Sequence, residues 1–276
     1  MFLEWIRTAA IAARNLVLGS NLASSRLATR PRALVAYNSE ALFLLNAMDQ
    51  HRGLPERHIL DALPQDGAVT LAFSGHIDPL WFRTVGSYLS DFVGLCLLCR
   101  LLRPRVVFEI GTFNGYSAFH FALNTPADSE IYTLDLPPGR VELKLSATVI
   151  DLQHARGGVA ATTYAFTGTD VERKIRALKG DSATFDFSPW HRGVDLFFID
   201  GAHSYDYVRS DTERALECVR PGGAIAWHDF GRTGVNGVRR YLRQLARTGL
   251  EINVLPGGSL AYAVGVRADQ PPTSKS

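Results

Sequence analysis

The stretch VDLFFIDGAHSYDYVRSD (residues 194–211) joins a buried strand to a helix, and this unit decides the fold. Residues 194–200 are mostly apolar and short, as in a strand that is buried on both faces. The strand closes on Asp200, and His203 follows three positions later. Because a carboxylate at a buried strand end is costly without a proton, a cation or a hydrogen-bond donor, we expect a partner to meet Asp200 there.

The same alternation of strands and helices extends over most of the chain beyond residue 104. Strands are predicted over residues 105–111, 130–136, part of 160–182 ending near Gly180, 194–200 and 222–230, and as a final pair within 251–266 joined by a Pro-Gly-Gly turn. Helices are predicted over residues 116–124, 141–153, 204–219 and 236–248. The pattern predicts an α/β fold: a doubly wound, mostly parallel, seven-stranded Rossmann-like sheet with a C-terminal antiparallel hairpin. Such sheets bind ligands at the carboxyl ends of their strands.

The first part of the chain has a helical pattern instead. Residues 1–18 and 33–53 show helical spacing of apolar residues, and Asp78-Pro79 is typical of a helix start, here of a helix running to about Leu102. We therefore predict a helical N-terminal extension over residues 1–78, serving as a cap or an oligomerisation element, a ligand-binding domain over 79–266, and a disordered tail over 267–276. The apolar first helix keeps a homodimer or a weak membrane-surface contact open.

Bulk composition narrows the class of protein. The chain has 276 residues, 46% of them hydrophobic and 20% charged, as in ordinary globular proteins. A net charge of +2 does not favour a nucleic-acid partner, and no stretch has the length of a stable membrane insertion. Three cysteines cannot form a disulfide framework, and Cys96 and Cys99 lie in an apolar helical run, so we expect core positions and a cytoplasmic protein.

Polar residues at the first two strand ends indicate a nucleoside site. Glu109 is followed by GTFNGYS (111–117), in which Gly111 and Gly115 let the backbone approach a ligand as the chain turns into a helix. Asp135 ends the second strand 24 residues after Gly111, where a carboxylate can accept hydrogen bonds from ribose hydroxyls. The loop is G-x-x-x-G rather than the nicotinamide pattern G-x-G-x-x-G, which favours a smaller ligand without pyrophosphate.

These segments resemble the class I S-adenosylmethionine-dependent methyltransferases. FEIGTFNGYSA (108–118) is similar to their first motif, YTLDL (132–136) to their second, GDSA (180–183) to the adenine-contacting segment, and LECVRPGGAIAWHDF (216–230) to the late strand with its preceding turn. The resemblance covers roughly residues 80–266 and implies S-adenosylmethionine as the cofactor. It implies cofactor-binding roles for Glu109, Gly111, Thr112, Asn114, Gly115, Ser117, Asp135, Leu136, Asp181, Ser182 and Asp200.

Within that superfamily, FIDGAHSYDYVRSD (198–211) looks like a branch of small-molecule O-methyltransferases that includes macrolide-sugar methyltransferases and cephalosporin-hydroxylase-like proteins. Catechol-type relatives end this strand in Asp-x-x-Lys, with the acid on a divalent metal and the lysine as base. The resemblance implies catalytic roles for Asp200 and for His203 as general base, acting on a hydroxyl of a small molecule. It also implies a metal site of Asp200, Asp229 and His228; because histidine is a poor magnesium ligand, manganese, iron or no metal stay open beside Mg²⁺.

Other interpretations stay open at this stage. His203 could anchor the following helix, and Asp211 could form a helix-face ion pair with Arg209 and Arg214. His76 lies before the first long helix, where it could line the pocket. The alternative functions are a NAD(P)-binding Rossmann oxidoreductase and an S-adenosylmethionine-binding protein without turnover.

Overall fold

The computed structural model describes residues 54–62, 68–72, 89–139, 141–155, 163–230, 236–256 and 258–267. The chain divides into residues Met1–Leu45 and Asn46–Ser276, and every described residue belongs to the second unit. The helices predicted over 1–18 and 33–53, the helix start at Asp78 and the tail beyond residue 267 lie outside the described residues. The predicted domain boundaries therefore stay a prediction.

The described residues form one seven-stranded sheet, in the order β3-β2-β1-β4-β5-β7-β6. Its strands are β1 Val106–Ile110, β2 Glu130–Asp135, β3 Ile175–Lys179, β4 Val194–Ile199, β5 Val219–Trp227, β6 Asn253–Val254 and β7 Ala261–Val264. The first five pair parallel, whereas β7 runs antiparallel to both β5 and β6. The predicted sheet and its terminal hairpin are confirmed.

The described residues also form six α-helices. They are α1 Ile59–Ala62, α2 Leu89–Leu102, α3 Tyr116–Asn124, α4 Val149–Ala155, α5 Tyr205–Cys218 and α6 Asn236–Ala246, with 3-10 turns at Glu172–Lys174 and Ser188–Trp190. None of them is long and apolar enough to cross a membrane.

The prediction of a helix over 141–153 is wrong at its start, because α4 begins only at Val149. Thr148 and Asp151 form a reciprocal cap: the Thr148 N–H donates to Asp151 Oδ2 at 2.8 Å, and the Asp151 N–H donates to Thr148 Oγ1 at 3.3 Å. This cap sets the first turn of the helix. Upstream, the Lys144 N–H is bonded to Asp181 Oδ2, so the chain follows the neighbouring loop.

Apolar side chains fill both faces of the sheet. Phe197, Ile225 and Trp227 belong to the core on one face, and Leu196 and Phe198 to the core on the other. The successive residues of β4 are therefore buried on opposite faces, as predicted for a central parallel strand. All three cysteines are free and buried, which confirms the core positions predicted for Cys96 and Cys99.

The segment before α2 also contacts this body. Glu56 forms a parallel bridge with Val254 on the edge strand β6, and the Val254 N–H donates to the Pro55 carbonyl at 2.9 Å. The side chain of Ile59 is fully buried. Residues 54–62 thus protect the outer edge of the sheet from pairing with another strand.

Candidate active site

Strand pairing brings the predicted polar residues to one edge of the sheet. Ile110 pairs with Ile199, and Ile199 with Trp227, so the residues that follow these three strands lie side by side. The sheet continues by one more bond on each side of β4: the Asp200 N–H donates to the Ile110 carbonyl and the His228 N–H to the Ile199 carbonyl. The carboxyl ends of β1, β4 and β5 form the floor of the candidate site.

Both glycines of the first loop are needed for contacts within the protein. Gly111 has φ +102°, and a Cβ there would lie 2.1 Å from the Asp200 carbonyl oxygen. Gly115 has φ +74°, and its Cβ would lie 2.7 Å from the Phe166 ring. A side chain at position 111 would therefore separate β1 from β4. This requirement is additional to the ligand approach expected from the sequence.

Glu109 lies in a buried polar network below the loop. Its carboxylate accepts hydrogen bonds from Ser117 Oγ and Thr133 Oγ1, and Thr112 Oγ1 lies 2.7 Å from Thr133 Oγ1. Burial raises the pKa of Glu109 to about 8, although both hydroxyl donors act to lower it. Glu109, Thr112 and Ser117 thus tie β1, β2 and α3 together from beneath.

Of the other loop residues, Asn114 is half-buried and Phe113 is exposed. Asn114 Oδ1 accepts from the Tyr116 N–H at 3.1 Å, and the Asn114 carbonyl accepts from the Ala165 N–H at 2.8 Å. Phe113 is exposed and has φ +47°, an unusual backbone conformation for an aromatic residue. The loop is therefore held in one conformation by contacts to residues far along the chain.

Asp135 is half-buried at the end of β2 and still has capacity to accept hydrogen bonds. Its Oδ2 accepts from the Phe113 N–H and its Oδ1 from the Leu136 N–H, both at 2.8 Å. A carboxylate can accept about four hydrogen bonds, so two positions suit a pair of vicinal hydroxyls. The chemistry of Asp135 therefore fits the ribose of an adenosyl cofactor.

Asp181 and Ser182 lie after β3, as predicted, but Asp181 is heavily engaged within the protein. Its carboxylate accepts from Tyr207 Oη at 2.9 Å, from the Lys144 N–H at 3.1 Å and from the Ala183 N–H at 3.0 Å. Ser182 is buried. In this arrangement Asp181 orders the loop around the adenine position predicted from the sequence.

The partner of Asp200 is an imidazole. His228 Nδ1 lies 3.1 Å from Asp200 Oδ1 and 3.5 Å from Asp229 Oδ1. Burial lowers the pKa of His228, but the charges of Asp200 and Asp229 more than offset this and raise it well above its ordinary value. Near neutral pH the His228 imidazolium therefore compensates the charge at the end of β4.

His203 lies between the carboxylates of Asp151 and Asp229. Its Nδ1 is 2.7 Å from Asp151 Oδ1 and its Nε2 is 2.8 Å from Asp229 Oδ2. Burial lowers the pKa of His203, but the hydrogen bonds to Asp151 and Asp229 outweigh burial and raise it to about 9. In this arrangement His203 keeps its proton near neutral pH, and both ring nitrogens are engaged.

The two histidines border one small cleft. It is lined by Ile199, Asp200, Gly201, Ala202, His203, Val208, Trp227, His228, Asp229 and Val238. Asp229 has φ +61°, a strained conformation for a residue other than glycine. Such strain is tolerated where the surroundings hold a side chain in a required position, and it often accompanies function.

Asp211 does not form the ion pair expected on the helix surface, so that interpretation is wrong. It lies on the buried face of α5 with Val208, Thr212 and Ala215, and it is fully buried. No hydrogen bond of ordinary geometry reaches either carboxylate oxygen among the described residues, although the nearby Ser182 side chain acts to lower the pKa of Asp211. Burial raises the pKa of Asp211 to about 7.

Sequence reasoning missed two acids of this site, Asp91 and Asp151. Asp91 Oδ2 lies 3.3 Å from His228 Nε2, and the Asp91 carboxylate also accepts from the Ser259 and Leu260 N–H groups of the terminal hairpin. Asp151 is a cap residue of α4. Both lie in the first turn of a helix, where an acid is explained by the helix dipole alone, so only the Thr-x-x-Asp spacing at 148–151 was a usable signal.

The candidate metal ligands do converge. One ligand atom from each of Asp200, His228 and Asp229 lies within 4.8 Å of the other two. Two carboxylates and an imidazole suit a divalent cation such as Mn²⁺ or Fe²⁺, and less well Mg²⁺. The set fits a metal provided that His228 releases its proton, because only the neutral ring can coordinate.

Comparisons with known proteins match the part of the chain that contains most of the candidate site. A family model described as a methyltransferase domain matches residues 108–230, less than half of the chain. Caffeoyl-CoA O-methyltransferase of Stellaria longipes is 28% identical over 144 residues, which cover 48% of this chain and 49% of that protein. Tapetum-specific methyltransferase 1 of Arabidopsis thaliana is 27% identical over 143 residues, covering 52% and 54%. The chain spans only 49–63% of the length of the curated relatives that it matches.

Solved structures are similar at low sequence identity. The O-methyltransferase TomG from Streptomyces achromogenes, crystallised in complex with SAM, has 21% identity and a TM-score of 0.43, with 79% of this chain and 89% of that chain covered. An O-methyltransferase from Bacillus cereus, in complex with SAH, has 18% identity and a TM-score of 0.43, covering 79% and 90%. The strand-end residues Glu109, Asp135, Asp181, Asp200 and Asp229 all lie within the segment that the family model matches. The resemblance to methyltransferases predicted from the sequence is thus confirmed, since residues 108–230 match a model described as a methyltransferase domain.

Proposed function

We propose that this protein transfers a methyl group from S-adenosylmethionine to a hydroxyl of a small molecule. The observation that carries the proposal is the cleft in which His203, Asp200 and Asp229 lie together at the carboxyl ends of β4 and β5. The names of the curated relatives, a caffeoyl-CoA O-methyltransferase among them, support the same reaction class. When bound, S-adenosylmethionine supplies an electrophilic methyl group on a sulfonium.

Different residues of this chain would bind the ribose, the methionine part and the adenine of the cofactor. Asp135 would accept hydrogen bonds from the ribose hydroxyls, and Gly111 and Asn114 would border the methionine side. Asp181 and Ser182 would border the adenine. The acceptor hydroxyl would lie in the cleft beside His203, which is part of its lining. The two ring nitrogens of His203 contact Asp151 and Asp229.

For His203 to act as the base, its Nε2 must be unprotonated and must face the acceptor hydroxyl instead of Asp229. Asp151 would then hold Nδ1–H, which fixes the tautomer and directs the Nε2 lone pair into the cleft. A divalent cation on Asp200, Asp229 and His228 would lower the pKa of the acceptor hydroxyl. Residue Asp229 thus has two roles, as a partner of His203 and as a ligand.

One observation favours a second function, binding of S-adenosylmethionine without turnover. Both nitrogens of His203 are engaged by carboxylates, and its pKa is raised to about 9. An imidazolium cannot accept a proton. Methyl transfer and binding without transfer therefore differ in whether the acceptor displaces Asp229 from Nε2.

The proposal extends to the location of the protein, the class of acceptor and the oligomeric state. We infer a cytoplasmic location from the three free, buried cysteines, which suit a reducing compartment. We also propose that the acceptor is a free small molecule rather than nucleic acid. A homodimer formed through residues 1–78 stays a proposal.

The experiment is calorimetric titration with S-adenosylmethionine, S-adenosylhomocysteine and NAD, followed by methyl transfer from labelled S-adenosylmethionine to a panel of sugar and catechol hydroxyls. Asp135→Ala should weaken S-adenosylmethionine binding by about 1.5–3 kcal/mol, or roughly 10–150-fold, because a charged hydrogen-bond partner is lost. Asp128→Ala, an exposed acid two residues before the start of β2, is the matched control. Binding of NAD alone, or equal affinity in both variants, would contradict the proposal.

A further inference from the structure

Asp91 is a buried acid in the first turn of α2, and the loop of the terminal hairpin sets the orientation of its carboxylate. The residue is only 1% exposed. Its Oδ1 accepts from the Ser259 N–H at 2.9 Å and from the Leu260 N–H at 3.1 Å, and its Oδ2 accepts from Ser259 Oγ at 2.9 Å. These bonds orient the carboxylate without any contribution from the strand ends of the candidate site.

The hairpin loop approaches this carboxylate very closely. A Cβ at Gly258 would lie 2.1 Å from Asp91 Oδ1, so a side chain at that position would displace the acid or the loop. The helix dipole favours an acid in the first turn of α2, but it does not require that acid to be buried. Burial of a carboxylate is costly unless donors meet it, and here the donors come from a loop 168 positions further along the chain. The position of Asp91 therefore needs an explanation beyond the stability of α2.

The same carboxylate reaches into the candidate site. Asp91 Oδ2 lies 3.3 Å from His228 Nε2, and Ser259 Oγ lies 3.4 Å from the same nitrogen. On the opposite side of the ring, His228 Nδ1 lies 3.1 Å from Asp200 Oδ1 and 3.5 Å from Asp229 Oδ1. His228 thus lies between a carboxylate fixed by the hairpin and the two acids that form the candidate metal site with it.

The other contacts of His228 do not decide which ring nitrogen faces the site. Its backbone N–H donates to the Ile199 carbonyl, which fixes the main chain but not the ring. The ring of Phe198 packs edge-on against the imidazole, with 6.4 Å between the ring centres, and such a contact does not distinguish the two nitrogens. An ionised carboxylate only accepts hydrogen bonds, so in the neutral ring Asp91 selects the tautomer with its proton on Nε2. The lone pair of Nδ1 then faces Asp200 and Asp229.

We propose that Asp91 is a positioning residue, which holds the His228 imidazole with Nδ1 directed at Asp200 and Asp229 as a ligand for a divalent cation. The proposal rests on the proposed function, in which these three residues are the candidate ligands. Histidines that bind metals usually donate their second ring N–H to a carboxylate or a carbonyl, and loss of that partner lowers metal affinity about 10–100-fold. Asp91 thus extends the candidate metal site to α2 and to the terminal hairpin.

The test is calorimetric titration of the full chain with Mn²⁺ in the absence of S-adenosylmethionine. Asp91→Asn should bind Mn²⁺ about 10–100-fold more weakly than the wild type. The asparagine oxygen can still accept from the hairpin N–H groups, but its NH₂ group would donate to Nε2 and leave the ring proton on Nδ1, where it blocks coordination. The matched control is Asp195→Asn near the amino end of β4, because Asp195 also accepts from two backbone N–H groups. The control should retain the wild-type affinity for Mn²⁺.

A double-mutant cycle with His228→Ala separates positioning from a merely structural role. If Asp91 acts through His228, then Asp91→Asn causes no further loss of Mn²⁺ affinity once the imidazole has been removed. An equal loss with and without the imidazole would overturn the inference, because Asp91 would then act through the hairpin alone. Wild-type Mn²⁺ affinity in Asp91→Asn would overturn it as well.

A measurement on the wild type keeps the test decisive if Asp91→Asn does not fold. Electron spin echo spectroscopy of the chain with Mn²⁺ should detect a directly coordinated imidazole nitrogen. Binding of Mn²⁺ without that nitrogen, or no binding of Mn²⁺, would overturn the inference.

S-adenosylmethionine is titrated into the same samples, which separates this inference from the proposed function. The affinity for S-adenosylmethionine should be the same in Asp91→Asn and in the wild type. If Mn²⁺ does not bind while S-adenosylmethionine binds and its methyl group is transferred, the positioning role fails and the proposed function stands. If Mn²⁺ binds with the expected dependence on Asp91 and His228 while S-adenosylmethionine does not bind, the proposed function fails and the positioning role stands.

Discussion

Replacement of Asp151 by asparagine tests whether α4 holds His203 in place. Asp151 Oδ1 accepts from the His203 ring at 2.7 Å and from the His203 N–H at 3.1 Å. Its side chain is only 3% exposed. The substitution preserves the shape of the side chain and removes its charge. Asparagine has only one side-chain oxygen, so the hydrogen bonds from His203 and from the Thr148 N–H would have to share it and would both be weaker.

The expected loss of stability follows from these contacts. A hydrogen bond to a charged group contributes about 1.5–3 kcal/mol net. Breaking a buried ion pair costs about 3–5 kcal/mol when one charge is left without a partner. His203 keeps Asp229 as a partner, so the loss lies near the lower range, at about 2 kcal/mol. Asp151→Ala should cost about 1 kcal/mol more, because it also removes the cap of α4.

Urea unfolding of Asp151→Asn, His203→Gln and the double variant measures the coupling. We expect a coupling free energy of about 1–2 kcal/mol, as for residues in direct contact. Asp128→Asn, an exposed acid, should change the free energy of unfolding by less than about 0.5 kcal/mol. Additive losses for Asp151 and His203, within about 0.5 kcal/mol, would refute the reasoning, because the two side chains would then act independently.

Three further outcomes are expected. His203→Ala should lower turnover by roughly 10²–10⁴-fold, the usual contribution of a positioned base, with S-adenosylmethionine affinity unchanged by calorimetry; normal turnover would exclude the base role. If Asp200 and Asp229 hold a divalent ion, EDTA should abolish turnover and Mn²⁺ or Mg²⁺ should restore it, whereas full activity in chelator would exclude the metal. Burial raises the pKa of Asp195, but the Arg220 guanidinium and two backbone N–H donors outweigh burial and hold it below the unfolded value of 3.8. The contribution of Asp195 to stability is therefore complete above pH 3.8 and is lost as the pH falls through the pKa of the folded state. Asp195→Asn should make the free energy of unfolding less dependent on pH in this acid range. An unchanged pH dependence would contradict this reasoning.

The order of strands and helices could be predicted because each element has its own local signal. The strand predicted over 194–200 is observed at Val194–Ile199, and the helix predicted over 204–219 at Tyr205–Cys218, where Ser204 Oγ caps the first turn. Central parallel strands are continuous apolar runs, so their period and length are visible without any partner. The start of α4 was misplaced because its apolar spacing continues upstream of the Thr148 cap.

Most of the candidate site follows from the same local signals. In a parallel sheet the carboxyl ends of neighbouring strands lie at one edge, so Asp200 and Asp229 could be expected to meet once their strands were recognised. The cluster with His228 agrees with that expectation. The partners that surround the two histidines could not be expected, because Asp91 and Asp151 lie on helices and their distance from the sheet depends on packing.

The sequence by itself determined the fold class, the parallel sheet with its reversed hairpin, and the strand ends at which chemistry is placed. Hydrophobic period and turn residues act over a few neighbouring positions, so they are readable in one dimension. Only the tertiary structure determined that the pKa values of the two histidines, His203 and His228, are raised. His203 and His228 differ from ordinary histidines because Asp151, Asp229, Asp200 and Asp91 reach them from four separate segments. Charge interactions depend on distance in space and on burial, and neither is encoded in the spacing of residues along the chain.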